Sequence, residues 1–248
     1  MKTFGWKTWL GLLGLTSIGL VATLPATMLD LVLSQASNGQ MALASAEGTI
    51  WNGGGQVLLA GDALNEKLSW KWRPADVLTG KLGFELAGSQ GGRGLVRLAP
   101  GSIDLADFDL TFRAAPLFKL DKRALAYRLG GDFKVQATQL HYKGGKIAGT
   151  PQIDWLDARA EGVTGDATLG SYRLTLQPDT QGGAQLNVST LAGPLQLGGS
   201  GQWTPQGGLA ATVTLQAMNG AESSIGALLS QIGPADAGGV RQVSFNLK

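Results

Sequence analysis

Cysteine is absent from the sequence, and histidine occurs only once, as His141. Without cysteine the chain forms no disulfide, so its stability comes from buried apolar side chains and backbone hydrogen bonds. The same absence removes thiol nucleophiles and the thiolate ligands of structural zinc. A single histidine between Leu140 and Tyr142, in an alternating stretch, is typical of a structural or exposed residue rather than a metal ligand.

Charged side chains are also scarce, at 15% of the chain against a usual share of about 25%. The net charge of +2 comes from Lys2 and Lys7, because the rest of the chain holds 18 basic residues against 18 acidic ones. A balanced remainder lacks the electrostatic signature of nucleic-acid binding. The sequence therefore predicts no nucleic acid partner.

Catalytic motifs are missing as well: there is no nucleophile elbow, P-loop, HExxH helix or dinucleotide fingerprint. Asp104, Asp107 and Asp109 crowd one short stretch, but they lack the glycine and glutamate of an EF-hand loop, which favours a solvated strand and turn. No pair stands out among the acidic residues for acid–base chemistry. We predict no catalytic, cofactor-binding or metal-binding residue, no cofactor, and a function that is not enzymatic.

What the sequence does contain is one long stretch without charge, residues 8–29, which begins at Thr8 and ends at Leu29. As a helix it would be ~33 Å long, enough to cross a hydrocarbon core of ~30 Å. Lys2 and Lys7 precede it and Asp30 follows it, so we expect the N-terminus to stay in the cytoplasm and the remainder to be exported. The alternative is a cleaved signal peptide, but Leu24 stands where a site ending at Ala26 needs a small residue. An uncleaved anchor is favoured.

After the anchor the apolar residues alternate with polar ones, which indicates strands. The clearest case is Leu82, Phe84 and Leu86, and stretches 172–177, 209–217 and 243–247 follow the same pattern. Glycine, at 38 of 248 residues, is about twice its usual share and supplies turns. The predicted fold class is mainly β: an N-terminal transmembrane helix, then a periplasmic domain of antiparallel, curled or sandwiched β-sheets with one or two short helices.

Local irregularities can also be predicted. The apolar phase changes between Leu105 and Phe108, which predicts a bulge or tight bend at Ala106 and Asp107. Residues 125–137 hold one phase across two glycines, as one long bent strand or as a hairpin. Short helices are expected at 114–122 and, more clearly, at 223–232. We divide the chain into an anchor region 1–35 and a β domain 36–248, in which a faint internal echo raises the option of two similar halves meeting near residue 115.

Two features of the β domain are less ordinary. Trp51, Trp70 and Trp72 lie close together, and core packing is favoured over a binding platform. Residues 113–146 hold eight basic side chains against two acidic ones, whereas 174–240 hold no basic residue. This basic middle is either a scattered solvated face or a contact for anionic lipid or an acidic partner. The candidate partner-contact residues are Arg113, Lys119, Lys122 and Arg123.

The order and spacing of several short motifs resemble the N protein of type II secretion systems. The anchor is followed by Gly48, Thr49, Ile50, Trp51, Asn52 and Gly53, and then by Trp70, Lys71, Trp72, Arg73 and Pro74. Residues 169–174, 193–199 and 228–243 are also similar to that family. The family motif residues carried over, with a structural or interaction role, are Gly48, Thr49, Trp51, Gly53, Trp70, Trp72 and Pro74.

The resemblance implies a single-pass inner-membrane protein with a periplasmic domain. It would be an accessory of the machinery that exports folded proteins through an outer-membrane secretin, in contact with other inner-membrane components and with the secretin. The family offers no catalytic residue to carry over. A second interpretation stays open, in which an inner-membrane anchored β-groove protein binds or transfers lipid. The two differ in whether the sheet leaves an apolar face unfilled.

Overall fold

The computed structural model describes residues 16, 19–89, 91–120, 124–162, 165–179, 182–218 and 220–247. The strands of its first half are β1 (Met41–Gly48), β2 (Asn52–Leu59), β3 (Asp62–Ala63), β4 (Leu68–Arg73), β5 (Leu82–Gly88), β6 (Arg93–Ala99) and β7 (Ser102–Arg113). Those of its second half are β8 (Leu129–Lys143), β9 (Lys146–Ala148), β10 (Gln152–Gly162), β11 (Gly165–Pro178), β12 (Ala184–Ala192), β13 (Leu195–Thr204), β14 (Gly208–Ala217) and β15 (Arg241–Leu247). The helices are α1 (Met28–Ala36), α2 (Ala115–Phe118) and α3 (Glu222–Ile232), with 3₁₀ turns at Pro74–Thr79 and Ala124–Tyr127.

The strands form one open antiparallel sheet in which neighbours along the chain are neighbours in space. The order runs from β1 to β15 without a crossover, with the short β3 and β9 set beside β2 and β8. The mainly β, antiparallel fold with few short helices is thus confirmed. β7 pairs with β8, so the sheet continues across residue 115, and the division into two similar halves stays a prediction.

Three strands contain a bulge at a non-glycine residue with positive φ: Ser45 in β1, Asp107 in β7 and Asp157 in β10. The pairing register shifts beside each of them. The bulge predicted at Ala106 and Asp107 is therefore confirmed. The bulge keeps Leu105 and Phe108 on one face of the sheet. The Phe108 ring lies over Gly94 on β6, and Gly94 is two positions along β6 from the residue that pairs with Leu105, so both contacts are on the same side.

The two faces of the sheet differ in chemistry. One face is apolar along its length and carries the helices, with Leu29 and Leu33 of α1 against Leu43 and Trp70. A larger cluster in the second half buries α3 against Leu169, Tyr172 and Leu195. The opposite face is polar and carries ion pairs, including Arg173 on Asp154, whose two nitrogen–oxygen distances are both 2.8 Å.

The predicted helices are only partly as expected. The helix at 223–232 appears as α3, and the one at 114–122 shortens to the single turn of α2. The stretch that holds one phase through Gly130 and Gly131 is one strand, β8, preceded by a 3₁₀ turn and not by a strand.

Of the predicted anchor, residues 8–29, residues 8–15, 17 and 18 lie outside the described residues. Residues 19–22 are helical, but the helix does not continue to residue 29, which corrects the prediction there, because Pro25 forms a lone bridge with Thr49 before α1 begins. Among the described residues, no helix has both the length and the apolar character needed to cross a membrane.

Candidate interaction surfaces

The family motif Gly48–Gly53 is the turn between β1 and β2, and its residue types follow from crowding. Gly48 has φ +82°, and a Cβ there would lie 2.5 Å from the Asn52 carbonyl oxygen. A Cβ on Gly53 would lie 2.5 Å from the Glu47 carbonyl oxygen. Thr49 closes the turn, because its hydroxyl accepts from the Asn52 amide at 3.1 Å. Only glycine fits at the first and last positions.

This turn also holds the segment that leads into the sheet from the N-terminal side. The Ala26 amide donates to the Gly48 carbonyl at 3.0 Å, and the Ile50 amide donates to the Leu24 carbonyl at 3.0 Å. The Trp51 indole N–H donates to the Val21 carbonyl at 2.8 Å. The motif therefore holds the segment that precedes the sheet against the β1–β2 turn. The contact between Trp51 and Val21 spans 30 residues of sequence, and no local pattern predicts it.

The three tryptophans have different environments. Trp70 is 8% exposed, and its indole N–H donates to the Thr49 carbonyl at 3.2 Å, as core packing predicts. Trp51 and Trp72 are half-buried and pack against each other with ring centroids 4.9 Å apart. The buried Trp72 indole N–H finds no acceptor among the described residues. Pro74 begins the 3₁₀ turn Pro74–Thr79, where its missing N–H costs nothing.

Of the four candidate partner-contact residues, the structure describes two. Arg113 lies 3.8 Å from Glu66, and Lys119 pairs with Asp62. Both side chains stay about half exposed, at 55% and 48%. Lys122 and Arg123 lie outside the described residues. The two described cations thus reach acidic residues beside β3, and their exposure leaves them open to further contact.

The same segment exposes large apolar side chains. Leu117, Leu120 and Leu125 are 38%, 47% and 47% exposed. Exposed leucines between cations give this segment, residues 113–125, the mixed character of a protein contact surface. We call it the basic segment.

The polar face holds two charge clusters around buried or half-buried carboxylates. Asp76 is 9% exposed and faces Arg97 at 3.3 Å and Arg73 at 3.6 Å. Asp104 accepts from Lys81 at 2.6 Å and contacts His141. Hydrogen bonds from Lys81 and then from His141 hold the pKa of Asp104 below its ordinary value. These contacts stabilise the sheet, and the described residues contain no group of three or more potential metal ligands.

On the apolar face, a row of cross-strand partners runs unbroken through eight strands. Each residue pairs directly with the next, and most of them are half-buried. We call this the apolar row. Its members are Leu110, Val135, Ile153, Leu174, Val188, Gly199, Val213 and Val243.

At its C-terminal end the apolar row enters a cavity of about 490 Å³. The sheet supplies one side through β8, β10, β11, β13, β14 and β15. The basic segment, the 3₁₀ turn Ala124–Tyr127 and α3 supply the other side. Because β8 and β15 both line it, the sheet curls in this half. We call this space the apolar cavity.

A second row, at one end of strands β5 to β8, is open to solvent. Leu82, Leu98, Ile103 and Tyr142 pair in succession across β5 to β8 and are each 40–44% exposed. Leu78, just before β5, is 90% exposed. Contiguous exposed apolar side chains mark interaction surfaces. Alternation alone indicated each strand, and the register between strands was needed to find this row.

The comparisons with known proteins give one match. A family model described as type II secretion system (T2SS), protein N, matches residues 39–244, most of the chain, which confirms the resemblance. No curated protein and no solved structure gives a match. The comparisons lend no support to a lipid-binding function.

Proposed function

This chain belongs to the type II secretion system protein N family, and we propose that it is a non-enzymatic accessory or assembly component of that machinery at the inner membrane. The observation that carries the proposal is the family match, which extends over nearly the whole sheet. The part played in secretion is then structural: the sheet presents surfaces to other components, and no step requires a catalytic group.

We also propose the location. Residues 8–29 carry no charge and follow Lys2 and Lys7, which supports a single membrane span with the N-terminus in the cytoplasm and the sheet in the periplasm. The turn that holds Val21, Leu24 and Ala26 would then tie the sheet closely to the membrane surface. The contact partners are other inner-membrane components of the secretion system and the secretin.

The basic segment supports the proposed contact surface. It combines half-exposed Arg113 and Lys119 with exposed Leu117, Leu120 and Leu125. Charged side chains at the rim of an interface set association rate and salt dependence, while apolar side chains supply area. A contact through this segment is therefore expected to weaken as ionic strength rises.

The test is co-purification of the full chain with the other secretion components at low and high salt. Replacing Arg113, Lys119, Lys122 and Arg123 by Gln should reduce the recovered partners several-fold at low salt and remove the salt dependence. The matched control replaces Lys71, Arg93, Lys143 and Lys146, four exposed basic residues elsewhere in the sheet, by Gln and should leave recovery unchanged. Equal recovery with both quadruple variants would reject the basic segment as the contact, and no recovered component with the native chain would reject the function.

A further inference from the structure

The apolar cavity is lined almost entirely by hydrocarbon. The side chains described around it include no charged group, and Ser244 is the one small polar residue among them. Two polar groups at its wall already have partners within the protein: the Trp155 indole N–H donates to the Gly130 carbonyl at 2.9 Å, and the Ser244 hydroxyl lies 3.3 Å from that of Thr212. Such a wall offers water few hydrogen bonds, so the space favours an apolar occupant.

The size of the cavity limits what that occupant is. At about 490 Å³ it is roughly three times the ~150 Å³ engineered cavity that takes up benzene, and it falls within the usual ligand-pocket range of ~300–1,000 Å³. A space of this size and wall chemistry suits a small or narrow apolar ligand such as one hydrocarbon chain.

A cation stands beside the lining on β15. Arg241 pairs with the lining residue Leu215 and precedes the lining residue Val243 by two positions, which places it on the cavity side of the sheet. Its side chain donates to the Gly233 carbonyl at 3.0 Å, directly after the lining residue Ile232. Among the described residues, Arg241 forms no ion pair with a carboxylate. An apolar space beside fixed positive charge is complementary to an anionic amphiphile.

We infer that the apolar cavity binds the acyl chain of an anionic amphiphile, with its carboxylate or phosphate head group beside Arg241. Burial of the chain against Trp155, Leu197, Leu228 and Val243 provides the affinity, and the cation selects the charged head group. The cavity shares Leu117 with the basic segment, but its described lining contains none of the candidate partner-contact residues.

The first experiment uses the purified full chain and a fatty acid that carries a diazirine at its methyl end. Photolysis followed by peptide mass spectrometry should place adducts on peptides from 117–129, 195–215 and 228–245. A phospholipid with the same labelled chain tests the second natural source of such a chain. Labelling of these peptides by either probe supports the site. Labelling confined to other peptides, or none above the background of an unlabelled competitor, overturns it.

Two neighbouring residues provide matched variants. Val213 lines the cavity, whereas Thr214 is exposed on the opposite face. Val213→Phe should fill the space and reduce labelling at least tenfold without lowering the denaturation midpoint, because the added ring enters an empty apolar volume. The Thr214→Phe chain should be labelled to the same extent as the native chain. Equal labelling of both variants would overturn the site, and a Val213→Phe chain that fails to fold is replaced by Leu197→Phe.

The head-group charge is tested separately with a fatty acid and a fatty alcohol of equal length. The native chain should bind the acid several-fold more tightly at low salt, and Arg241→Gln should remove that difference while leaving the alcohol unaffected. Equal binding of acid and alcohol by the native chain would reject the anionic head group. If the native chain is not labelled but still recovers secretion partners, this inference is wrong and the proposed function stands.

Discussion

At the scale of single residues, the sheet uses glycine where another group occupies the position of a side chain. A Cβ on Gly83 would lie on the Asp76 carboxylate, so the glycine makes room for the charge cluster with Arg73 and Arg97. Gly53 does the same for the Trp70 ring. Several of the glycines therefore reflect packing as well as turns.

The cluster at Asp104 makes stability depend on pH. Lys81 and His141 hold the pKa of Asp104 below its ordinary value, so its ionised form is stabilised in the folded chain. That stabilisation is present above the unfolded pKa of about 3.9 and is lost as pH falls through the lower folded value. We expect Asp104→Asn to lower the free energy of unfolding by about 1 kcal/mol at pH 7. The loss should become smaller as pH falls below about 3.9.

Denaturant titrations at pH 7 and pH 3 measure this difference. Glu47→Gln is the control, because Glu47 pairs with Lys67 at 3.0 Å but is 71% exposed and should change stability by no more than about 0.5 kcal/mol. A loss for Asp104→Asn of the same size at both pH values would show that the contact acts through shape and not charge.

At the scale of elements, α3 is held by packing more than by its own helix signals. Its N-cap position, Ala221, provides no side-chain cap, and Gly226 stands in the middle of the helix. Ile225 and Leu229 are almost completely buried in the larger core cluster. The helix therefore forms because its apolar side packs on the sheet. The spacing of residues 225, 228, 229 and 232 predicts a helix with such an apolar side.

Gly226→Ala should raise the free energy of unfolding by about 0.5–1 kcal/mol. The added methyl group meets no atom within 4 Å and removes backbone freedom from the unfolded chain. The control is Gly220→Ala, which also has open space but has φ +85° and should destabilise by a similar amount. Denaturation midpoints decide the matter, and a destabilising Gly226→Ala would show that this helix requires flexibility at that point.

Strand positions could be predicted from the sequence because alternation is a local signal. The bulge at Asp107 could be predicted too, since the apolar phase changes there. The apolar row and the apolar cavity could not, because they depend on which residue of one strand pairs with which residue of the next. The contact of Trp51 with Val21 depends on chain geometry over 30 residues and leaves no pattern in either stretch.

At the scale of the whole molecule, the described residues form two separate core clusters joined by continuous strand pairing. The smaller one consists of Ala26, Leu43 and Trp70 as its buried members. The larger one has eight buried residues gathered around Tyr172 and α3. Because every strand pairs with neighbours that are close along the chain, contacts in one cluster contribute little to the other, as in repeat proteins.

We therefore expect the two ends of the sheet to open independently, with β1–β5 less protected from amide hydrogen exchange than β10–β14. Leu229→Ala, which removes a buried side chain from the larger cluster, should lower protection in β10–β14 by about 2–5 kcal/mol and leave β1–β5 nearly unchanged. Trp70→Ala should do the reverse. Hydrogen exchange followed by mass spectrometry on the full chain resolves these strands as separate peptides. If either substitution lowers protection equally at both ends, the sheet unfolds as one cooperative unit, and the strand pairing between β7 and β8 couples the clusters more strongly than their separation in space indicates.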